Sequence, residues 1–310
     1  MKQIFFKKRN VFIALTTCFT LLIISSFFFQ SPNSSIFSKF LSFWSLHRVW
    51  IGVVFCLIGG VVLWKGKLTN NLRLGILFVI FFIFAILPAL PIGNIAKGLG
   101  IHPSPMCIVT KPFLFIYTGK TIPVIFFSLL LSIIILTLLG NKLFCGWVCP
   151  IGAIQEIFNR IPLPQKFKLK IPFKVTNTIR ISLLVLYIGL VLLLGAGIYD
   201  YINPFESLHW HFELWGLVIL FIVLIASVVI FRPFCYLVCP LGLVSWLFEQ
   251  ISLVKIKVDE DGCTNCGMCV EESPCPAMNA ILEGDKMRPD CHACGYCIKS
   301  CPENAIEFKI

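Results

Sequence analysis

The sequence predicts an α-helical polytopic membrane protein that ends in a small α+β domain. Of its 310 residues, 58% are hydrophobic and only 13% are charged, and the mean hydropathy is +0.90. Soluble domains carry charge at about 25% of positions, so most of this chain is expected to lie in a bilayer. The charges divide unevenly, because residues 251–310 hold ten acidic and six basic side chains and the rest holds five acidic and twenty basic. We therefore expect a basic membrane domain, 1–250, followed by an acidic domain, 251–310.

Charge-poor segments predict about six transmembrane helices, at residues 11–29, 50–64, 74–91, 122–140, 179–198 and 217–231. The first is expected to be an uncleaved anchor and not a signal peptide. Of the twenty basic residues before residue 251, fifteen lie on the side that also carries both termini. The cytoplasmic side keeps such residues, which predicts an inner-membrane protein with cytoplasmic termini. Because the basic residues flank apolar spans, nucleic acid is not an expected partner.

Eight cysteines in the last domain carry the clearest chemical pattern. They are spaced C-x2-C-x2-C-x5-C-P from Cys263 and C-x2-C-x2-C-x3-C-P from Cys291. Three cysteines spaced in this way let one tight loop offer three thiolates to an iron–sulfur cluster. A zinc ribbon also uses C-x2-C pairs, but it does not explain two triplets that each lead to Cys-Pro. The pattern predicts two [4Fe-4S] clusters in a reducing compartment.

This domain resembles the bacterial two-cluster ferredoxins over about fifty residues. The resemblance implies that the fourth cysteine of each motif serves the other cluster. Cluster one would take Cys263, Cys266, Cys269 and Cys301, and cluster two would take Cys291, Cys294, Cys297 and Cys275. Residues 271–273, Glu-Glu-Ser, are an insertion relative to the usual spacing. Alternating residues predict short strands at 254–258 and 305–309.

A second cysteine motif is repeated in the membrane domain, at 144–152 and again at 234–242. Each copy contains C-x3-C-P and follows an even-numbered span, so both are expected on the cytoplasmic face. The spacing places two sulfurs one helical turn apart, and the proline suits the first turn of the next helix. Four soft ligands could therefore converge, namely Cys145, Cys149, Cys235 and Cys239. Redox thiols or a metal site, structural or ferredoxin-docking cysteines, and disulfides all remain open.

The opposite face offers a second candidate site, with His102 and Cys107 in a long loop and His209 and His211 in another. These side chains could bind haem or copper, or exchange hydrogen bonds and protons with a quinol. The alternative is that they are ordinary interfacial residues beside Trp and Tyr. His292 lies within a cluster loop and is expected to tune that cluster's surroundings.

Polytopic helices, two C-x3-C-P motifs and a C-terminal ferredoxin together resemble the membrane-bound polyferredoxins of the NapH and NosR type, over about residues 74–310. The resemblance implies electron transfer between a membrane quinol pool and a partner redox protein, with quinol as substrate. The chain would be a relay and could form part of a quinol dehydrogenase; no residue is assigned a catalytic role. Two alternatives remain: copper reduction or metalloenzyme maturation at the C-x3-C-P cysteines, and a redox-sensing membrane regulator.

Overall fold

The computed structural model describes residues 10–18, 36–90, 93, 98–100, 103–208, 214–284 and 287–310. The membrane domain is helical, and the C-terminal domain adds a two-stranded sheet. The elements of the membrane domain are α1 (residues 10–18), α2 (Ile36–Trp44), α3 (His47–Trp64), α4 (Asn70–Phe81), α5 (Cys107–Tyr117), α6 (Val124–Gly140), α7 (Leu143–Trp147), α8 (Pro150–Asn159), α9 (Phe173–Leu194), α10 (Ile198–Ile202), α11 (Pro204–Leu208), α12 (Leu214–Val229), α13 (Pro233–Leu237) and α14 (Pro240–Glu249). Those of the C-terminal domain are β1 (Lys255–Val258), α15 (Met268–Glu272), α16 (Ala277–Leu282), α17 (Tyr296–Lys299) and β2 (Ile306–Lys309).

Three helices of the described residues are long and apolar enough to cross a membrane: α3, α9, and α4 with its continuation to Ala89. They coincide with the predicted spans at 50–64, 74–91 and 179–198. The spans predicted at 122–140 and 217–231 correspond to α6 and α12, which are apolar but only 17 and 16 residues long. Most of the first predicted span, residues 19–29, lies outside the described residues. The loop predicted around Cys107 was wrong in part, because Cys107 begins the helix α5.

The helices that follow the two cysteine motifs cross over. Helix α8, after the first motif, packs on α4 and on α12, whereas α14, after the second motif, packs on α6 and on α9. Helix α8 therefore lies against α12, the apolar helix that precedes the second motif, and α14 lies against α6, the apolar helix that precedes the first motif. The crossing brings the two motifs to one end of the bundle, although they are ninety residues apart.

Sharp turns lead the chain into both motifs. Asn141 and Arg232 have positive φ angles of 61° and 49°, a range that Asn adopts more readily than most residues; only Arg232 is in the left-handed helical region, since ψ of Asn141 is −151°. Arg232 has no such preference, and its guanidinium pairs with the buried carboxylate of Glu156. This ion pair stabilises the turn at Arg232 through which the chain enters the second motif.

The C-terminal domain is built on the antiparallel pair β1–β2, in which Ile256 lies opposite Phe308. This confirms the strands predicted at 254–258 and 305–309. Both side chains are buried in a hydrophobic cluster that also contains Leu63 of α3, Leu77 of α4 and Trp147 of α7. The last domain therefore shares a core with the membrane helices, which fixes its position on them.

Candidate functional site

Each C-x2-C-x2-C loop of the C-terminal domain leads into a short helix. Cys269 lies in α15 and Cys297 in α17, and each helix is preceded by a glycine with positive φ, Gly267 at 76° and Gly295 at 82°. Glycine adopts this left-handed conformation without steric cost. A second left-handed residue lies two positions earlier in each loop. The two loops thus coil in the same way.

The first cysteine set lines one cavity. Cys263, Cys266, Cys269 and Cys301 surround ≈ 330 Å³ that opens to solvent, and Cys266 is exposed. Burial raises the pKa of the Cys269 thiol, and the other three sulfurs raise it further. The backbone N–H of Ala305 donates to the Cys301 sulfur at 3.3 Å. Four thiols around one cavity, with an amide donor, suit an iron–sulfur cluster.

The second cysteine set is buried. Cys275 and Cys294 form a side-chain hydrogen bond, and Cys291 and Cys294 both act electrostatically on Cys297. Burial, followed by the charge of Glu249, raises the pKa of Cys291 to about 12. Metal binding at such thiols releases their protons. The structure therefore brings Cys275 together with Cys291, Cys294 and Cys297, and the assignment of each set of four to one cluster stays a prediction.

The spacing of these side chains bears on what they could hold. Within the described residues, no group of three or more His, Cys, Asp or Glu side chains is arranged to hold a metal ion. In a [4Fe-4S] cluster each cysteine binds a different iron, so the four sulfurs stand farther apart than the ligands of one ion. The two sets adjoin, because Cys269 of the first acts electrostatically on Cys297 of the second.

The loop of the second set lies directly on the membrane helices. The Trp147 indole and the Asn141 amide donate to loop carbonyls at 2.9 and 3.1 Å, and the Tyr236 hydroxyl donates to another at 3.1 Å. A Cβ added at Gly146 would come within 2.2 Å of the His292 carbonyl oxygen. Only glycine permits this approach of the first C-x3-C-P motif to the cluster loop.

A layer of buried charges lies between the helices and this loop. Seven charged side chains of the described residues are at most 1% exposed, namely Arg73, Lys142, Arg180, Arg232, Glu156, Glu249 and Asp290. An unpaired charge in such surroundings costs several kcal/mol, so each needs a partner. We call these seven residues the buried charge layer.

Glu156 of α8 is the centre of one half of this layer. It accepts hydrogen bonds from Arg73 of α4 at 2.8 and 2.9 Å and pairs with Arg232. Burial alone would raise the pKa of Glu156, but the two arginines lower it to about 2. This carboxylate therefore stays charged and ties α4, α8 and the entry of the second motif together.

Asp290 is the centre of the other half. It lies next to Cys291, pairs with Lys142, and accepts a hydrogen bond from Arg180 at 2.5 Å. Lys142 also lies 3.6 Å from Glu249, whose carboxylate accepts the backbone N–H of Cys291 at 3.0 Å. Burial raises the pKa of Glu249 to about 7, against the opposing effect of Lys142. The loop of the second set is therefore attached to the helices by ion pairs as well as hydrogen bonds.

The C-x3-C-P cysteines are held by contacts between the repeats. Arg232 Nη1 of the second repeat donates to the Cys145 carbonyl at 2.7 Å, and Gln155 Nε2 of the first approaches the Cys235 sulfur at 3.4 Å. Electrostatic interactions link Cys145, Cys149, Cys235 and Cys239 to one another. Burial raises the pKa of Cys145 to about 11 and that of Cys239 to about 12. The structure thus brings the four together, and none of the fifteen cysteines forms a disulfide.

The candidate site on the opposite face is described only in part. Cys107 is buried at the start of α5, where the Ser104 hydroxyl donates to its sulfur at 3.1 Å and the Asn203 amide lies at 3.7 Å. His102, His209 and His211 lie outside the described residues. That site stays a prediction.

Sequence reasoning missed the buried charge layer. One pattern could have revealed half of it, because Lys142 and Arg232 each stand three residues before the first cysteine of a motif. A repeated cation in so apolar a context predicts a repeated anionic partner. Asp290 offered no such pattern, since its partners lie on other segments.

The inserted residues 271–273 also have a structural role. Lys170 of the basic loop at 162–174 donates to the backbone carbonyls of Val270 and Glu271 at 2.6 and 3.1 Å. The insertion therefore reaches back to the loop that precedes α9, and it adds a contact between the two domains.

These features define a membrane-anchored iron–sulfur electron-transfer protein. A family model described as a 4Fe-4S binding domain matches residues 121–174 and 212–258, which contain the two C-x3-C-P motifs and end before Cys263. The chain belongs to the membrane-bound polyferredoxin family.

Curated relatives cover more than half of the chain. It is 28% identical to ferredoxin-type protein NapH of Haemophilus influenzae, over 61% of this chain and 67% of that protein. It is 32% identical to uncharacterized protein MJ0750 of Methanocaldococcus jannaschii, over 58% and 76%, and 27% identical to putative electron transport protein YccM of Escherichia coli, over 56% and 52%. No solved structure matches the chain.

Proposed function

We propose that this chain carries electrons between a membrane quinol pool, or a membrane partner, and another redox protein, through two [4Fe-4S] clusters. The observation that carries the proposal is the attachment of the second cysteine loop to the membrane helices through Asn141, Trp147 and Asp290. A ferredoxin that only encountered the membrane transiently would not need buried ion pairs to it. When bound, each cluster accepts and donates one electron at a time.

The two cysteine sets face different surroundings. The set of Cys291 is buried against the helices, whereas Cys266 of the other set is exposed. Exposed acidic side chains lie near that solvent-facing set, at 259–261 and at Glu303. Such a surface would guide a basic partner protein to the outer cysteine set by electrostatic attraction.

The quinol part of the proposal is supported by an apolar groove. It has a volume of ≈ 1110 Å³, lies along α1, α3 and α6, and reaches Leu143, two residues before Cys145. Ligand sites of this kind combine a large apolar wall with a few polar groups, here Thr16 and Lys65. A quinol bound there would release two electrons and two protons, and its electrons would leave singly toward the cysteine sets.

The orientation is part of the same proposal. Both termini and the cluster domain would lie in the cytoplasm of an inner-membrane protein, as the distribution of Lys and Arg favours. If a protease added outside intact spheroplasts cleaves a C-terminal tag, the C-terminus is not cytoplasmic and this orientation is contradicted.

The central test follows electrons in purified protein in nanodiscs. In Cys263→Ser, the buried cluster should still be reduced by quinol, while reduction of an added soluble acceptor falls at least tenfold. In Cys291→Ser, both processes should fall at least tenfold, because the set next to the membrane is lost. Cys18→Ser, an exposed cysteine on α1 outside both patterns, is the matched control.

The groove is tested separately. Leu57→Trp should lower the rate of quinol-dependent reduction, because Leu57 lines the groove and is 61% exposed. Leu193→Trp on α9, which is 80% exposed and outside the groove, should leave that rate unchanged.

Reduction of the soluble acceptor that persists in Cys291→Ser would refute the relay and favour a sensing role.

A further inference from the structure

We propose that Cys145, Cys149, Cys235 and Cys239 form one additional site, shared between the two repeats, for an iron–sulfur cluster held by four thiolates. The proposal concerns the membrane domain alone. It does not depend on the direction of electron flow or on quinol as the donor.

The first support is that the two motifs are interlocked. Arg232, at the entry of the second motif, binds the carbonyl of Cys145 in the first motif at 2.7 Å, and Arg180 of α9, between the two motifs in the chain, binds the carbonyl of Cys235 at 3.3 Å. Lys142 of the first repeat donates to the Gly242 carbonyl in the second at 2.9 Å. Neither motif is thus positioned by its own repeat alone, as expected for one shared site and not for two separate dithiols.

Glycines make this interlocking possible. A Cβ at Gly152 would lie 2.8 Å from the Cys145 carbonyl oxygen and 3.0 Å from Arg232, and one at Gly242 would lie 2.9 Å from the Cys235 carbonyl oxygen and 3.0 Å from Arg180. The same close packing is therefore built twice, once around each first cysteine.

The second support is charge. In the buried charge layer, four cations stand against three carboxylates. The cations Lys142, Arg180 and Arg232 all act electrostatically on Cys235. An excess of buried positive charge is costly unless an anion offsets it. A cluster held by four thiolates supplies that anion, because its ligands outweigh the positive charge of its core.

The third support is a group of buried donors. Arg180 Nε and Arg232 Nε, on two of the side chains that act electrostatically on Cys235, have no hydrogen-bond partner among the described residues. A buried N–H without an acceptor costs about 1–3 kcal/mol. The sulfides and thiolates of a cluster are acceptors, and hydrogen bonds to them are a known determinant of cluster potential.

Such a site would lie between the membrane helices and the second cysteine set of the ferredoxin domain. Gly146, between Cys145 and Cys149, touches the carbonyl of His292 in the loop of the second cysteine set. A redox group held by the four cysteines would therefore adjoin that set. It would exchange one electron at a time with the ferredoxin domain on one side and with the membrane redox partner on the other, in either direction, with no bond made or broken.

The test is the metal and sulfide content of the full-length protein, purified without oxygen. The double variant Cys145→Ser/Cys235→Ser should lose about four irons and about four acid-labile sulfides per chain, or about two of each for a smaller cluster, and keep the ferredoxin EPR signals. Retention of those signals shows that the variant folds. Cys56→Ala, a buried cysteine on α3 that interacts with Cys145 but lies outside both motifs, should lose neither.

Equal iron and sulfide in the double variant and the wild type would overturn the proposal. Loss of zinc or copper without sulfide would overturn it as well, since it would identify a single-metal thiolate site. Arg180→Gln tests the role of charge: the signal absent from the double variant should shift to a lower midpoint potential, because a nearby cation is removed. An unshifted potential would contradict the charge argument. Either failure leaves the two-cluster relay intact.

Discussion

Asp290→Asn should weaken the docking of the ferredoxin domain on the membrane helices. The change removes a negative charge that is fully buried and paired with Lys142 and Arg180, and it leaves both cations without that partner. Removing one member of a buried ion pair costs about 3–5 kcal/mol. The remaining carboxylate near Lys142, that of Glu249 at 3.6 Å, can offset only part of this loss. Docking should therefore weaken by roughly a hundredfold or more.

Hydrogen exchange of residues 251–310 in nanodiscs would measure this effect, with iron content monitored to show that the clusters stay bound. The matched control is Glu307→Gln, which breaks an exposed pair with Lys309 in the same domain, 2.6 Å apart. Exposed pairs contribute about 0–1 kcal/mol, so exchange in that variant should stay close to wild type. The reasoning is refuted if Asp290→Asn and Glu307→Gln exchange alike.

Two further predictions concern the layer beneath the ferredoxin domain. Gly146→Ala should slow reduction of the ferredoxin clusters by the membrane donor, because the added Cβ would sit 2.2 Å from the His292 carbonyl and push the loop away; Gly189→Ala, with no atom within 4 Å, is the control. The Glu156 carboxyl, whose pKa falls from 4.5 to about 2 on folding, should contribute about 3 kcal/mol to stability above pH 4.5 and lose this as the pH falls toward 2. Unfolding followed by circular dichroism should show that part of the acid sensitivity missing in Glu156→Gln, and an unchanged pH profile would contradict it.

Local sequence patterns were sufficient to predict the cysteine loops and the strand pair, because these elements depend mainly on residues that are close together in the chain. Cysteine spacing places three sulfurs in one loop whatever the rest of the chain does, and alternation over 254–258 and 305–309 was sufficient for the strand pair. The helix α5 was missed because the Pro-rich residues around 103–105 indicate a loop, whereas in the structure they precede the helix start at Cys107. The crossing of the repeats could not be predicted from the sequence, because it depends on which distant helices α8 and α14 pack against. Asp290 was missed for the same reason, as both cations that pair with its side chain are more than a hundred residues away.

The buried charge layer is difficult to explain by stability alone. Apolar side chains of similar volume often stabilise a protein as well as buried ion pairs do, so seven buried charges bring no clear gain in folding free energy. Their position suggests two other effects. Ion pairs accept only one geometry, so Asp290 fixes the orientation of the ferredoxin loop on the helices, which apolar packing would specify less sharply. A redox group in an apolar protein also gains a negative charge each time it is reduced, and nearby cations lower the cost of that charge. Lys142, Arg180 and Arg232 all act electrostatically on Cys235 of the C-x3-C-P set, and Arg232 also acts on Cys294 of the ferredoxin domain. The same residues that align the ferredoxin domain would thereby ease the arrival of each electron.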